Sequence, residues 1–260
     1  MSGPIMEGRA MEGAALVTGG AKRIGAAIVR VLAATGRPVA IHYRHAAREA
    51  EALAAEITAS GGIAHAIAAD LADPAAAAGL IARAEALAGP IAVLVNNASH
   101  FVFDSAAKVT ANSIAAHMTP NLTAPVLLAR EFAVRRNGRD GVIVNILDQK
   151  LANLNPDFFS YTLSKAALAA ATEMLAMALA PAIRVCGVAP GLTLIGPKQS
   201  EAAFAANRAA MPLGRGGEPG DIARAVRFIV DTPSITGTTL VVDAGEHLMR
   251  RQRDVTFSPA

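Results

Sequence analysis

The 260 residues are 53% hydrophobic, 17% charged and 4% aromatic, with no Trp, one Cys and a net charge of +3. Lys and Arg are dispersed except at Arg135-Arg136 and Arg250-Arg251-Gln252-Arg253, so the basic excess reads as solvated charge and nucleic acid is not an expected partner. Cys186 lies in an apolar run and has no second Cys to pair with, which points to a buried strand residue in a reducing compartment, the cytoplasm.

Residues Met1 to Gly13 carry Glu7, Arg9 and Glu12 without a continuous apolar stretch, so a frayed segment is expected there and neither a signal peptide nor a membrane anchor. From Ala14 onward, short apolar runs alternate with helical patterns. Strands are predicted near Ala14 to Thr18, Pro38 to His42, Ile63 to Ala68, Ile91 to Asn96, Val142 to Ile146, Ile183 to Ala189 and Thr238 to Val242. Helices are predicted near Ile24 to Thr35, Ala46 to Ser60, Ala75 to Ala88, Ser113 to Arg136, Tyr161 to Ala180 and Asp221 to Val230. Strict alternation of this kind demands an α/β fold, a doubly wound Rossmann-type parallel sheet with helices on both faces and ligands at the carboxyl ends of its strands. No Pro/Ser-rich linker divides the chain, so one domain over residues 14–248 is expected, followed by a tail over 249–260. The apolar run Ala166 to Ala180 is interrupted by Glu173 and ended by Pro181, short of a bilayer span, so a membrane is not an expected partner.

The first strand runs into Gly19-Gly20-Ala21-Lys22-Arg23-Ile24-Gly25 and then a helix. A Gly-rich turn in that place lets backbone N–H groups and a helix N-terminus approach a pyrophosphate, although Arg23 stands where a middle glycine is usual; an ordinary turn explains the glycines as well. After the second strand comes His42-Tyr43-Arg44-His45. No carboxylate is present there to hold a ribose 2′-hydroxyl, and an Arg is available for a 2′-phosphate, which favours NADPH over NADH. Asp70-Leu71 follows the third strand and Asn96-Asn97-Ala98-Ser99 the fourth; capping and turn formation account for such residues equally well.

Thr119-Pro120-Asn121-Leu122-Thr123-Ala124-Pro125 places two prolines inside a helical run. Pro125 has no N–H, so the Asn121 carbonyl loses its helical partner and becomes free to hold a water. Tyr161 and Lys165 lie four residues apart, thirteen positions after Asp148. On a helix they share a face, which sets the ammonium beside the phenol and lowers the phenol pKa. By itself the pair fits a solvated helix face equally well. An ionised Asp148 would instead raise the phenol pKa and oppose Lys165, so the carboxyl and the phenol should titrate together, with Asp148 raised by burial and activity favoured where it keeps its proton.

In combination and in this order, the motifs resemble the short-chain dehydrogenase/reductases, and within them the pteridine reductases. The resemblance rests on Thr18 to Gly25, Asp70-Leu71, Asn96 to Ser99, Asn121, Asp148, Tyr161 with Lys165, and Pro190-Gly191-Leu192-Thr193. It implies Tyr161, Lys165, Asp148 and Asn121 as catalytic residues, Asn121 through a water relay to Lys165. It implies an NADPH site made by Gly19, Lys22, Arg23, Ile24, His42, Tyr43, Arg44, His45, Asp70, Leu71, Asn97, Ala98, Ser99, Tyr161, Lys165, Pro190, Gly191 and Thr193, and no metal. Three departures point to the pteridine reductases: Asp148 where most of the family has Ser, Arg23 in place of glycine, and Ser99 with Phe101 in the segment that stacks a pterin ring. Ala46 stands where those enzymes have a Ser that contacts phosphate. Arg23, Ser99, Phe101, Asp148 and Tyr161 are therefore the implied substrate contacts.

The resulting expectation is an NADPH-dependent reductase of a pterin or folate-like small molecule, with Tyr161 as proton donor. Alternatives are reduction of a ketone or 3-oxoacyl thioester by the same residues, or a non-catalytic NADPH-binding sensor. The resemblance also implies a homotetramer. Residues Leu192 to Arg215 are expected to form a lid.

Overall fold

The computed structural model describes residues 11–196 and 199–257. Seven parallel strands form one sheet in the order β3-β2-β1-β4-β5-β6-β7: β1 Ala14–Val17, β2 Val39–Tyr43, β3 Ala64–Ala68, β4 Ile91–Asn96, β5 Gly141–Ile146, β6 Ile183–Pro190 and β7 Thr239–Val242. The helices are α1 Arg23–Ala33, α2 Ala47–Ala59, α3 Pro74–Ala78, α4 Leu80–Ala88, α5 Ala111–Met118, α6 Ala124–Arg136, α7 Phe159–Leu179, α8 Glu201–Ala209 and α9 Pro219–Asp231. This is the expected Rossmann-type architecture. The strand order reverses direction between β1 and β4, and that is where their carboxyl ends leave a crevice.

Strands β1, β2, β4, β5 and β6 are buried on both faces, so they are apolar on both sides and residue parity sorts side chains between two cores, whereas the edge strands β3 and β7 are partly exposed. Val17, Val39, Ile41, Val93 and Val144 pack with Ile28 and Leu32 of α1 and Ile222 and Val226 of α9. Leu16, Leu94, Ile143 and Val185 pack on the other face with Leu80 and Ile81 of α4 and Leu128 and Phe132 of α6. Gly141 lets α6 lie close, since a Cβ there would meet the Phe132 ring at 2.8 Å.

Two predicted helices are broken. The run expected at Ala75 to Ala88 is α3 and α4, separated at Gly79, with Asp73 capping the Ala75 N–H and Pro74 opening the first turn. The run expected from Ser113 to Arg136 is interrupted by a π-helical turn over Thr119–Thr123, where the Pro125 ring cannot be accommodated by a regular ladder. α7 is long and apolar enough to cross a membrane by length and composition. It packs along β6 instead and carries buried Ser160, Tyr161, Ser164, Lys165 and Thr172. Of the segment expected to fray, residues 1–10 lie outside the described residues, and Arg37 donates to the carbonyls of Met11 and Gly13.

Candidate active site

A cavity of about 550 Å³ runs along the carboxyl ends of the strands, from Arg44 and Asp70 at one end to Asp254 and Val255 at the other. Its walls include most residues predicted from sequence.

The β1 to β4 end is shaped by backbone. Gly19 has φ +61°, which glycine adopts freely. A Cβ on Gly25 would lie 2.1 Å from the Gly19 carbonyl oxygen, so α1 starts directly against the turn. Arg23 takes φ +55° where glycine is usual, and a non-glycine residue held there is strained. Lys22 pairs with Glu49 at the surface. Asn97 donates from Nδ2 to the carbonyls of Thr18 (2.9 Å) and Gly19 (3.0 Å), while its N–H and that of Ala98 donate to Thr18 Oγ1.

His42 and Arg44 face the cavity, and strand alternation turns Tyr43 the other way, against the core. Neither Tyr43 nor His45 lines the cavity, and His45 is exposed. The His42 ring itself is a brace. Nδ1 accepts the Gly19 N–H at 3.0 Å, which leaves the proton on Nε2 to donate to the Ala69 carbonyl at 3.1 Å. Burial above all draws its pKa down to about 4, so the ring is neutral. Arg44 lies 3.9 Å from Asp70, and Asp70 accepts the Ala72 N–H in an Asx turn; the helix cap is Asp73.

At the β5 to β7 end, the Tyr161 hydroxyl donates to Asp148 Oδ2 at 2.7 Å, and Asp148 Oδ1 accepts the Lys150 N–H at 2.9 Å. Lys165 Nζ donates to the Ile146 carbonyl at 2.7 Å and sits 5.8 Å from the centre of the Tyr161 ring. The expected lowering of the Tyr161 pKa is overturned. Burial first, then the Asp148 carboxylate, hold the phenol well above its usual range. Asp148 is itself pushed up by burial, as expected, and burial lowers Lys165 to about 8.

Asn121, buried in the π turn, is bonded through its side chain: Oδ1 accepts the His100 N–H (2.7 Å) and the Ser99 hydroxyl (3.3 Å), and Nδ2 donates to the His100 carbonyl and to Ser164 Oγ. It ties the loop after β4 to α7 and does not line the cavity. Phe101 lies edge-on to Tyr161, with centroids 4.6 Å apart, and stacks on Phe158 at 4.4 Å. Pro190, Gly191 and Thr193 line the cavity below β6, where Glu246 accepts the Leu192 N–H at 2.8 Å. Burial, then the nearby Asp148 and Asp243 charges, raise Glu246 to about 7.

His100, Gln149, Lys150, Glu246 and the segment Asp254 to Thr256 also form the wall and are not among the residues expected there. Position after β5 signals Gln149 and Lys150; nothing local signals the last segment.

The profile of the short chain dehydrogenase family matches residues 13–203. Among solved structures, the alternative dihydrofolate reductase 1 of Brucella canis, complexed with NADP, is 43% identical with a TM-score of 0.89, covering 94% of this chain and 98% of that one. Pteridine reductase 1 of Leishmania tarentolae is 31% identical over 91% of this chain and 96% of its own length. The 3-oxoacyl-[acyl-carrier-protein] reductase of Synechocystis is 32% identical over 89% and 95%.

Proposed function

The chain belongs to the short chain dehydrogenase family, on its pteridine reductase side, and from that premise we propose an NADPH-dependent reductase of a pterin or folate-like C=N bond. The observation that carries the proposal is the 2.7 Å bond from Tyr161 to Asp148 at the cavity wall, with the Phe101 ring edge-on beside it. That arrangement offers a proton and a flat apolar surface to one planar ring.

The β1 to β4 end fits a dinucleotide phosphate: the tight approach of Gly25 to Gly19, the start of α1 on the cavity wall, and Arg44 at the end of β2 suit a pyrophosphate and a 2′-phosphate. When bound, the reduced nicotinamide supplies the hydride. With Asp148 protonated, the carboxyl donates across the same 2.7 Å contact to the Tyr161 oxygen, so the phenol proton is free to pass to the substrate nitrogen as the adjacent carbon is reduced. The phenolate so formed takes the proton of Asp148, and Asp148 is recharged from solvent. Because an ionised Asp148 opposes a Tyr161 phenolate, turnover needs the protonated carboxyl and falls as pH rises through its elevated pKa. Lys165, fixed by the Ile146 carbonyl, is the cation that holds the ribose and offsets the phenolate. Asn121 positions Ser99, His100 and α7. Arg23, Ser99, Phe101 and Asp148 orient the substrate.

A second reading, reduction of a 3-oxoacyl thioester, is supported by the Synechocystis relative. We also infer a homotetramer in the cytoplasm; exposed Val134 on α6 and Met174 and Met177 on α7 support an interface there, and sedimentation analysis tests it. The functional test is NADPH oxidation with dihydrobiopterin, dihydrofolate, acetoacetyl thioesters and simple diketones across pH 5 to 9. Pterin turnover with an acid-side optimum is expected. Turnover of thioesters alone selects the second reading.

A further inference from the structure

The far wall of the cavity includes residues more than a hundred positions beyond Asp148, the residue that follows β5. Asp254, Val255 and Thr256 line it beside Asp148, Gln149 and Lys150. Two crossed ion pairs hold this segment down. Lys150 Nζ, buried, donates to Asp254 Oδ2 at 3.0 Å and to the Asp157 carbonyl at 2.7 Å. Arg253 forks onto the buried Asp157 carboxylate with bonds of 2.8 Å and 3.1 Å, and the Asp254 N–H donates to the same carboxylate. Asn207 of α8 donates to the Val255 carbonyl at 3.3 Å.

The same segment reaches the aromatic residue at the proposed substrate position. Phe257 packs on Phe103 (4.9 Å) and Phe158 (6.0 Å), and Phe158 is the ring on which Phe101 stacks. Removing the segment therefore opens the end of the cavity and also leaves the stack behind Phe101 unsupported on one side.

We propose that Val255 and Thr256 are specificity-determining substrate contacts, and that Lys150, Asp157, Arg253 and Asp254 are positioning residues that latch them across the cavity. A compact bicyclic ring beside Tyr161 and Phe101 need not pass residues 254–256. A linear acyl thioester, whose carrier must leave the site, would have to displace the latch, so the latch selects against it. The inference rests on the proposed reductase reading for its substrate but makes its own claim about residues 253–257.

Its test uses three variants, the deletion of residues 253–260, Val255→Trp and Lys150→Met, with KM, kcat and the NADPH dissociation constant measured on each. Val255→Trp is expected to raise the dihydropterin KM by about tenfold or more while NADPH binding stays within about twofold. Lys150→Met, which cuts the latch, and the deletion should narrow the ratio of kcat/KM between dihydropterin and a long 3-oxoacyl thioester by about tenfold. Phe257→Trp supplies an independent readout, because the chain has no other Trp: its emission should shift to the red when Lys150→Met is added. Unchanged substrate ratios in Lys150→Met together with an unchanged KM in Val255→Trp overturn the inference. If the deletion fails to fold, those two point variants decide. If the unmodified protein reduces only thioesters, the pterin reading fails, and the inference is then judged on the thioester: faster turnover after the latch is cut supports it, and no change sinks it.

Discussion

The two ends of the cavity are built differently. At the β1 to β4 end, short side chains hold backbone: Thr18, His42 and Asn97 bond to peptide groups of the turn and neighbouring strand ends. At the β5 to β7 end, side chains hold side chains: Tyr161 with Asp148 across one loop, and Lys150 with Asp254 and Arg253 with Asp157 across about a hundred positions. A site made of backbone keeps its shape under many side-chain changes and tolerates few glycine changes. A site made of side chains does the reverse.

The largest effect that would sharpen this contrast is Tyr161→Phe, expected to lower kcat by about a thousandfold with NADPH binding nearly unchanged; stopped-flow turnover and fluorescence titration measure the two. Loss of both together would mean that the ends do not act separately. Gly25→Ala should act the other way. Its Cβ meets the Gly19 carbonyl at 2.1 Å, so the turn must shift, and NADPH affinity should fall by about a hundredfold, or about 2.7 kcal/mol. Arg44→Asp should erase a preference for NADPH over NADH of about tenfold, near 1.4 kcal/mol, read from paired dissociation constants. Phe101→Ala should weaken pterin binding by about 1 kcal/mol and leave NADPH binding alone.

The ends should also answer pH with opposite signs. His42 is held at about 4 against an ordinary 6.5, so the unfolded chain binds the extra proton and stability falls as pH drops from 6.5 toward 4. Glu246 is held at about 7 against 4.5, so the folded chain binds the extra proton and stability falls as pH rises from 4.5 through 7. Glu246→Gln keeps an acceptor for Leu192 and should raise Tm by about 2–4 °C at pH 8, with a smaller gain at pH 5. An equal shift at both values would detach Glu246 from the pH response.

The same contrast explains what the sequence disclosed. Apolar runs located all seven strands within about two residues, because burial on both faces leaves a near-continuous apolar run in the central strands and the partly exposed edge strands β3 and β7 keep enough apolar residues to be seen. Gly19, Gly25, Arg44 and Asp70 were legible because strand-to-helix turns are local. Asp148, Tyr161 and Lys165 were found by spacing on either side of one loop. The Tyr161 pKa departs from the lowering that the spacing from Lys165 implied: burial, which spacing does not show, is the largest cause, and the Asp148 carboxylate acts in the opposing direction expected of it. The break at Gly79 was missed because alanine on both sides sustains a helical pattern. The wall at Asp254 to Thr256 had no local signal, its partners Lys150 and Asp157 being about a hundred residues away.

The His42 ring joins three successive strand ends: it stands on β2, takes the N–H of the turn after β1 and gives its proton to the carbonyl after β3. One imidazole thus makes a rigid unit of the surface proposed to receive a dinucleotide. A surface already ordered loses little conformational freedom on association. Calorimetry should accordingly find a heat-capacity change set by the area that the ligand covers, without the larger contribution that accompanies the folding of a loop around it.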